Sequence, residues 1–556
     1  MKFDFVYVDM ALINGKVITV NEADEIAEAV GIKKNKIVYV GTTEELMTIV
    51  SPETKIVDLK GKTLMPGIVD THVHPILNGF IGNEIDSSII NIDRSQCGSL
   101  VEMFDLIKKA VDIRKPGEWI SSMGYEPTFL EEKRHPKLEE LDAIAPENPV
   151  QCLHMSGHIA MYNSKALACI GINGPEDAAK YPVNEVEVID GKLTGILKEG
   201  TNFLLWSKVN YSQEAQKKAA LHSQEQFLSN GITSIHDCGE CDGPSYHLMQ
   251  KLCNDRIFKP RTYMMLHSIY GKAFSLEDNE HYLALGLRSG LGNNYFKMGG
   301  CKFMIDGGSG APSSACKEPY CHDKNLKGVL GWESEEVANY ICKINRADCQ
   351  ATAHAMGDIA VEYMVKGFEK AFEEEAKPEL RHRIEHCAVT NPDLIERMAK
   401  MNICPTLNVG MITVQGERYQ TIYGEKRAQY YAPLRSMMDA GIKVSIASDA
   451  PSGPLGLAML DGAVNRKDRT HHVTFGKNQS VSVLEAIRCM TYNGAYGSYE
   501  ENIKGSLEVG KLADMIILNK NILDVPEENL DEMEVDITMI DGEIVYRRQS
   551  SEIEGI

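Results

Sequence analysis

The sequence of 556 residues predicts an α/β protein with a closed (β/α)8, TIM-like barrel, a β-sandwich that both termini build, and an α/β insertion after the first barrel strand. Strand-like and helix-like segments alternate through the central part, which is typical of a parallel sheet covered on both faces. The two ends share short β segments around glycine turns. We expect residues 1–63 and 478–556 to form the sandwich and residues 64–477 the barrel, with residues 90–211 as an inserted substrate-capping segment.

Composition and charge exclude several classes of protein. The chain is 43% hydrophobic and 25% charged, as soluble globular proteins are. No stretch approaches the length and apolar character of a membrane span, and the N-terminus lacks the basic start of a secretory leader, so we expect a cytoplasmic location. The 14 cysteines are scattered singly through the chain, and in a cytoplasmic protein we expect them to be reduced thiols. The formal charge of −21, without any basic run, disfavours contact with nucleic acid or anionic membranes.

The terminal segments predict the sandwich. Short β segments are predicted at residues 9–20, 26–33, 36–41, 505–518 and 535–546. Within the first of them, Asn14 and Gly15 favour a tight hairpin turn. Because the two ends have the same β texture, we expect them to pack together.

The central segments predict the barrel. Eight strands are expected at residues 64–75, 231–237, 263–269, 300–305, 351–354, 383–386, 403–407 and 443–447. Between the first two of these the chain has helical patterns, clearest at residues 100–114, mixed with loops bounded by proline and glycine. This stretch is longer than an ordinary crossover, which indicates an insertion.

The first barrel strand, LMPGIVDTHVHP, carries two histidines one residue apart. Because side chains alternate along a strand, His72 and His74 leave on the same side and can bind one cation. Pro66 and Gly67 predict a turn before the strand, and Pro75 ends it. Two histidines on a half-buried strand are the plain alternative when this segment is considered by itself.

Later strand ends supply further ligand-type side chains. His354 in ATAHAMGD, His386 in RIEHC and Asp449 in SIASDAPSGP each follow an apolar strand and precede a loop. In a parallel barrel these ends meet at one face, the face that carries catalytic residues. Core packing does not require imidazoles and a carboxylate at the ends of several different strands. These histidines and Asp449 therefore predict a metal site.

Lys302 in CKFMIDGG is flanked by apolar residues, and an uncompensated ammonium would be costly there. One explanation is an ion pair with Asp306 or Glu199. The other is carboxylation by CO₂, which converts the amine into an anionic carbamate able to bridge two cations. The residues themselves leave both explanations open.

These motifs resemble the amidohydrolase superfamily, specifically its YtcJ-like (amidohydrolase 3) branch, which includes N-substituted formamide deformylases. The resemblance covers nearly the whole chain and rests on LMPGIVDTHVHP, SGHIAMYNSKAL, GILKEG, KFMIDGGSG, HAMGD, RIEHC, SDAP and GSLEVGKLADMIIL. It implies a distorted (β/α)8 barrel with a β-sandwich from both termini, and one or two divalent cations, with zinc expected, at the barrel mouth. It also implies a homo-oligomer, with a dimer favoured.

The resemblance further implies which residues bind the cations. Six residues would be ligands: His72, His74, Lys302, His354, His386 and Asp449. His72, His74 and Asp449 would bind the more buried cation. His354 and His386 would bind the more exposed one. Lys302 would bridge the two as N6-carboxylysine, with Glu199 as the alternative bridge or a substrate contact.

Such a site predicts hydrolysis of a carbon–nitrogen bond, other than a peptide bond, in a small molecule. A cation lowers the pKa of its water toward neutrality, and Asp449 can accept the nucleophile's proton and pass it to the leaving nitrogen, besides acting as a ligand. Hydrolysis of a cyclic amide or deamination of a heterocycle on the same site stays open. A catalytically silent binding or assembly homologue is the alternative outside enzymes.

Substrate contacts are expected from two segments. The insertion contributes Trp119, His158, Asn163 and Glu199, for each of which ordinary packing is the alternative. The long loop at residues 307–332 is rich in small residues and predicts a lid over the barrel mouth.

Overall fold

The computed structural model describes residues 7–81, 89–91, 97–127, 130–154, 156–209, 211–239, 243–267, 277–310 and 312–554. Parts of the predicted capping segment and residues 268–269 of the third predicted barrel strand lie outside this range. Within the described part, no helix combines the length and the apolar character that crossing a membrane requires.

The elements follow one another in the predicted order of sandwich, barrel, insertion, barrel and sandwich. The N-terminal elements are β1 (Met10–Ile13), β2 (Lys16–Ile18), β3 (Ile26–Ala27), β4 (Ala29–Lys33), β5 (Lys36–Gly41), α1 (Thr43–Leu46), β6 (Lys55–Asp58) and β7 (Thr63–Pro66). The first barrel strand β8 (Ile68–Val73) and α2 (Pro75–Phe80) come next. The insertion comprises β9 (Ile89–Asn91), α3 (Leu100–Ile113), β10 (Ile120–Tyr125), α4 (Leu138–Ile144), β11 (Val150–His154), β12 (Ile159–Tyr162), α5 (Ser164–Ala168), β13 (Val186–Ile189), β14 (Lys192–Lys198) and α6 (Glu199–Trp206).

The second part of the chain completes the barrel and the sandwich. The barrel continues through α7 (Gln213–Ser229), β15 (Ile232–Asp237), α8 (Gly243–Asn254), β16 (Arg261–Leu266), α9 (Glu277–Ala284), β17 (Phe296–Met304), α10 (Ser334–Arg346), β18 (Ala351–Ala355), α11 (Asp358–Glu374), β19 (Arg383–His386), α12 (Pro392–Lys400), β20 (Cys404–Leu407), α13 (Ile412–Ala428), α14 (Leu434–Asp439) and β21 (Ser445–Ile446). The C-terminal elements are α15 (Leu457–Asn465), α16 (Val483–Met490), α17 (Tyr492–Gly497), β22 (Met515–Leu518), β23 (Val535–Ile540) and β24 (Glu543–Arg547).

Eight parallel strands form the barrel, in the order β21-β20-β19-β18-β17-β16-β15-β8. The first and last strands of this order, β21 and β8, lie next to each other and close the barrel. The hydroxyl of Thr71 in β8 donates to the carbonyl of Ile446 in β21 at 3.2 Å. Beyond the strand ends, the backbone N–H of Asp449 donates to the carbonyl of His72 at 2.8 Å. The predicted fold class is therefore confirmed, and closure brings Asp449 beside the first barrel strand.

Both termini build the sandwich. A four-stranded sheet has the order β5-β4-β1-β6, and a six-stranded sheet joins the two ends of the chain in the order β24-β23-β22-β7-β2-β3. Their shared core contains Leu12 and Leu64 from one end and Ile517 and Ile537 from the other, all fully buried. The domain boundaries proposed above at residues 63/64 and 477/478 stay a prediction.

The hairpin expected at Asn14 and Gly15 does not form. Strands β1 and β2 belong to different sheets: β1 pairs with β4 and β6, whereas β2 pairs with β3 and β7. Asn14 has a left-handed φ of 54°, as a tight turn requires, but the turn carries the chain from one sheet of the sandwich to the other. The prediction was wrong because a turn signal does not specify whether the flanking strands pair.

The insertion contains a six-stranded sheet, β13-β14-β12-β11-β10-β9, where the sequence indicated mainly helices and loops. Strands β10 and β11 are buried almost throughout and carry the polar residues Ser121, Ser122 and Gln151 in their interior. A strand buried on both faces lacks the alternation of apolar and polar residues that identifies strands in a sequence. The helix predicted at residues 100–114 is present as α3.

A buried ion pair ties the barrel to the sandwich. Arg261 at the start of β16 is 1% exposed, and its Nε and Nη2 donate to the two carboxylate oxygens of Asp514 at 2.5 and 2.9 Å. Its Nη2 also lies 2.6 Å from Asp541 Oδ1. Both aspartates adjoin strands of the six-stranded terminal sheet, so one guanidinium connects the two parts of the fold.

We expect Arg261→Met to lower the free energy of unfolding by about 3–5 kcal/mol, because Asp514 would remain buried without its counter-charge. Denaturant titration followed by circular dichroism measures this change. Arg346→Met is the matched control, since Arg346 is 60% exposed in its pair with Glu374 and its loss should cost at most about 1 kcal/mol. Equal effects of the two substitutions would contradict the anchoring role of Arg261.

Candidate metal centre and active site

The sequence-predicted ligands converge at the carboxyl ends of the barrel strands. His72 lies near the end of β8, and His74 is one residue beyond that strand rather than on it. His354 and His386 lie at the ends of β18 and β19, and Asp449 follows β21. The structure thus brings together the side chains that the sequence placed on separate strands.

The donor atoms are close enough to share a cation. One ligand atom each from His72, His386 and Asp449 lies within 4.8 Å of the others. The Nε2 atoms of both His72 and His74 lie 3.5 Å from Asp449 Oδ1. The ring of His354 is 4.5 Å, centroid to centroid, from that of His386. Imidazole nitrogens with a carboxylate oxygen form a donor set that suits zinc and similar divalent metals.

Two of the histidine rings are held by partners behind them. His72 Nδ1 lies 2.8 Å from Glu385 Oε2, and because a carboxylate only accepts, this nitrogen is the donor and Nε2 keeps its lone pair. His386 Nδ1 donates to Asn408 Oδ1 at 2.7 Å, while the amide group of Asn408 donates to the carbonyl of Ala447 at 3.3 Å. Fixing one ring nitrogen in this way is how proteins orient metal-binding histidines.

Glu385 is itself fully buried and is compensated. Arg383 donates to both of its carboxylate oxygens, from Nε at 2.8 Å and from Nη2 at 3.0 Å. Thr352 donates its hydroxyl to Oε1 at 2.6 Å. The ion pair persists inside the barrel because its remaining polar atoms are hydrogen-bonded. Sequence analysis missed both charged residues, although two opposite charges two residues apart in RIEHC face the same side of a strand and indicate such a pair.

Three histidines of the site, His72, His354 and His386, have lowered pKa values, which favours their neutral form. Burial, together with the nearby charge of Lys302, holds the pKa of His72 well below its usual range. Burial also lowers the pKa of His354 and of His386. Burial alone would raise the pKa of Asp449, but its hydrogen bond from His74 and the nearby imidazoles hold that pKa below its ordinary value. Neutral imidazoles and an ionised carboxylate are the protonation states that bind a divalent cation.

His386, Asp449 and Glu199, in and around this site, have left-handed backbone conformations. The φ angles are 69° at His386, 59° at Asp449 and 45° at Glu199, although none is glycine. Non-glycine residues rarely adopt this region, and such strain is typical of functional sites that the surrounding fold holds in place.

Lys302 lies in the wall of the same cavity and is 3% exposed. The ion pair that the sequence left open is absent from the described residues, because Asp306 accepts hydrogen bonds from the backbone of Met356, Gly357 and Ala315, and Glu199 contacts other side chains. Two buried polar atoms, Asp237 Oδ2 and His267 Nε2, have no hydrogen-bond partner in the described part of the chain. Neither residue is among those that line the cavity, although the charge of Lys302 acts on both side chains.

The insertion and the loop after β17 form the other side of the cavity. His158 lines it, and its Nδ1 lies 2.8 Å from Glu199 Oε2, while Ser313 donates its hydroxyl to Glu199 Oε1 at 2.6 Å. Burial would lower the pKa of His158, but the charge of Glu199 raises it above the usual value. Gly308 and Gly310 of the predicted lid also lie in the wall, and Ala311 is outside the described residues. Glu199 thus lies behind His158 and outside the cavity lining.

Trp119 and Asn163, the other two predicted substrate contacts, are not among the residues lining this cavity. Trp119 packs against the apolar core. Asn163 caps α5, accepting from the backbone of Val150 and Ala166 and donating to two backbone carbonyls of the insertion. Its hydrogen-bonding capacity is used within the insertion, so the structure gives it a local structural role.

The cavity encloses about 980 Å³, its open mouth included. Apolar side chains make much of its wall, namely Leu77, Phe203, Trp206, Met304, Met356 and Met411. Polar side chains that sequence analysis did not identify as contacts also line it, namely Glu126, His154, Ser156, Gln415, Arg418 and Tyr419. Ser156 begins the motif SGHIAMYNSKAL and His154 lies two residues before it, whereas the sequence context of the other four does not distinguish them, because they come from segments that meet only in the fold.

We expect Glu385→Gln to raise the dissociation constant for zinc about 10- to 100-fold, because an amide orients the His72 ring less strongly than a carboxylate does. Competition with a chromogenic chelator measures this constant. Thr352→Val is the matched control, since it removes a hydrogen bond from the same carboxylate and leaves the contact with His72 intact. Unfolding of both metal-free variants separates metal affinity from stability, and an unchanged zinc affinity in Glu385→Gln would contradict the role assigned to Glu385.

Comparisons with known proteins identify the family and the fold of the chain. The model of the amidohydrolase family matches residues 55–546. The chain is 28% identical to the N-substituted formamide deformylase of Arthrobacter pascens, over 98% of this chain and 99% of the relative. It is 25% identical to YtcJ of Bacillus subtilis, over 96% and 98% of the two chains. An uncharacterized metal-dependent hydrolase from Pyrococcus horikoshii has a similar fold, with a TM-score of 0.72, 24% identity and coverage of 93% and 99%.

Proposed function

Because the chain belongs to the amidohydrolase family, we propose that it is a metal-dependent hydrolase that cleaves an amide-type carbon–nitrogen bond in a small molecule. The observation that carries this proposal is the convergence of four histidines and Asp449 from separate strand ends on one cavity. The partners that hold the rings of His72 and His386 favour a working metal site over a silent homologue, because a protein that no longer binds metal has no need to orient them.

We assign the metal ligands as the sequence predicted them. His72, His74 and Asp449 would hold one divalent cation, and His354 and His386 a second, with Lys302 between them as N6-carboxylysine. Zinc is the expected metal because the donors are mainly imidazoles. When bound, such a cation acts as a Lewis acid and lowers the pKa of water near it.

The residues of the chain supply the remaining chemistry. Asp449 is ionised and lies between His72 and His74, so it can accept a proton from the attacking water and deliver it to the leaving nitrogen. His158 donates its Nδ1–H to Glu199, and the charge of Glu199 raises the pKa of the ring, so in its protonated form His158 can donate Nε2–H to a substrate carbonyl. The apolar wall around Phe203 excludes water from the body of the substrate.

An N-substituted formamide is the substrate class we favour. The relative named N-substituted formamide deformylase spans nearly the whole chain at 28% identity. The apolar wall that includes Phe203 and Trp206 suits a bulky substituent on the amide nitrogen.

A substrate panel tests the proposal. Zinc- or manganese-loaded protein is incubated with N-formyl amines, N-acetyl amines, cyclic amides and amino-heterocycles, and formate, acetate, ring-opened product and ammonia are measured. We expect formate from the N-formyl amines. Ring opening or ammonia release would assign the site to cyclic amides or to deamination instead, and metal binding without any turnover would favour the silent homologue. A cytoplasmic homodimer stays a prediction, which sedimentation and localisation would test.

A further inference from the structure

Helix α13 presents a polar stripe to the cavity. Gln415, Arg418 and Tyr419 line it, and their spacing of three and four residues places them on one face of the helix. Arg418 is the most open of the cationic side chains in this wall, 38% exposed compared with 3% for Lys302. A guanidinium therefore lies at the open side of the cavity, and the metal-binding residues lie at its buried side.

The guanidinium of Arg418 is only partly engaged. Its Nη2 donates to the carbonyl of Gly310. The nearest carboxylate is that of Glu126, whose Oε2 lies 3.8 Å from Nη1, beyond hydrogen-bonding distance. No other acidic side chain forms an ion pair with Arg418 in the described residues. Most of its N–H donors are thus available to a ligand.

Glu126 is less available than Arg418. It is 7% exposed, and its Oε2 lies 2.8 Å from His154 Nε2. His154 in turn contacts the hydroxyl of Ser156 through Nδ1 at 2.8 Å. Because this carboxylate is buried against an imidazole, an incoming ligand meets the positive charge of Arg418 before the negative charge of Glu126.

An apolar wall lies in the same cavity as Arg418 and the metal-binding residues. The rings of Phe203 and Trp206 are stacked, with centroids 6.4 Å apart, and Met304 and Met356 add to this wall. The wall suits an apolar connecting chain, and the overall charge of −21 disfavours anions unless a local cation receives them.

We propose that Arg418 is a specificity-determining residue that binds a carboxylate carried by the substrate at the end of its apolar N-substituent, away from the scissile amide. The inference rests on the proposed function and refines its substrate class to amphiphilic, anionic amides. Arg418 suits this role because its planar guanidinium can bind a carboxylate through two parallel hydrogen bonds.

The test uses the metal-loaded enzyme and a series of N-formyl ω-amino acids of increasing chain length, each paired with its methyl ester. The ratio of kcat/KM for acid over ester is measured in the wild type and in Arg418→Gln. We expect the wild-type ratio to peak at one chain length and to exceed about ten there. In Arg418→Gln the acid-to-ester ratio of kcat/KM at that chain length should be at least tenfold lower than in the wild type. Arg435→Gln is the matched control, because Arg435 is 31% exposed and lies outside the cavity lining, so its ratio should not change.

Two outcomes would overturn the inference while leaving the hydrolase function intact. One is an acid-to-ester ratio near one at every length. The other is a preference that survives in Arg418→Gln, which would place the carboxylate on Lys302 or on the cation instead.

A binding experiment covers the case in which no formamide is cleaved. Calorimetry compares linear monocarboxylates with the corresponding alcohols in the wild type and in Arg418→Gln. A carboxylate preference that falls at least tenfold in the variant would support the anion site although the proposed reaction had failed. Equal affinities in both proteins would overturn the anion site as well.

Discussion

Replacing His72 and His74 together with alanine is expected to lower kcat/KM by at least about a thousandfold and to remove most of the bound divalent cation. His72 is one of three residues whose ligand atoms lie within 4.8 Å of one another, and both histidines lie 3.5 Å from Asp449. The fold should survive, because Glu385 behind His72 keeps both of its hydrogen bonds from Arg383. Kinetics, elemental analysis and thermal unfolding measure the three effects.

The matched control for this double variant is His247→Ala with His281→Ala. Both histidines are exposed, on α8 and α9, and neither lines the cavity. This control should keep its metal and its activity. Undiminished turnover after loss of His72 and His74 would rule out the metal-hydrolase mechanism, whereas loss of folded structure would show that the imidazoles also support the barrel.

Lys302→Ala is expected to lower activity about a hundredfold or more and to remove at least one equivalent of metal, with partial recovery on addition of short-chain carboxylic acids. Asp306 and Glu199, the carboxylates that could have paired with Lys302, are engaged elsewhere. If the ammonium loses one proton and the resulting amine adds CO₂ with loss of a second proton, a carbamate anion replaces the buried positive charge, and its oxygens could serve as metal ligands. An added carboxylic acid can occupy the vacated space and supply the same two oxygens.

Lys504→Ala is a close control for Lys302→Ala, since both lysines are 3% exposed. Lys504 forms an ion pair with Glu500 at 2.7 Å, so removing the Lys504 side chain should destabilise the fold without removing metal. Added carboxylic acids should not restore the stability of this variant. Isotopically labelled bicarbonate gives a direct readout, because a carbamate on Lys302 would carry the label. An unlabelled lysine in metal-replete protein, together with failure of the rescue, would move the bridge to Glu199 or to water.

The barrel could be predicted from the sequence because its strands are short apolar runs bounded by helices. The predicted strand at residues 383–386 coincides with β19, and the resemblance to the amidohydrolase superfamily is confirmed by the family match over residues 55–546. The ligand-type residues could be predicted because each lies at or just beyond the end of a strand, and parallel strand ends meet at one face. Those assignments as metal ligands remain predictions.

The parts that sequence analysis missed depend on contacts between distant segments. Asn408 is recognisable as a partner of His386 only when β19 and β20 are side by side. Arg418 enters the cavity because α13 packs over the barrel mouth, which no local pattern specifies. Asn163 shows the converse: its motif suggested a substrate contact, but the folded insertion uses all of its hydrogen bonds.

The pairing of β7 with β22 has a consequence for synthesis of the protein. Met65 lies opposite Ile516, and Gly67 joins β7 directly to β8, the strand that carries His72. A ribosome makes about 5–20 residues per second, so the interval between these two strands is on the order of tens of seconds. Throughout that interval the apolar edge of β7 has no C-terminal partner in the nascent chain. We therefore expect the native state to form only after the ribosome has made β22, with chaperones protecting the unfinished edge until then.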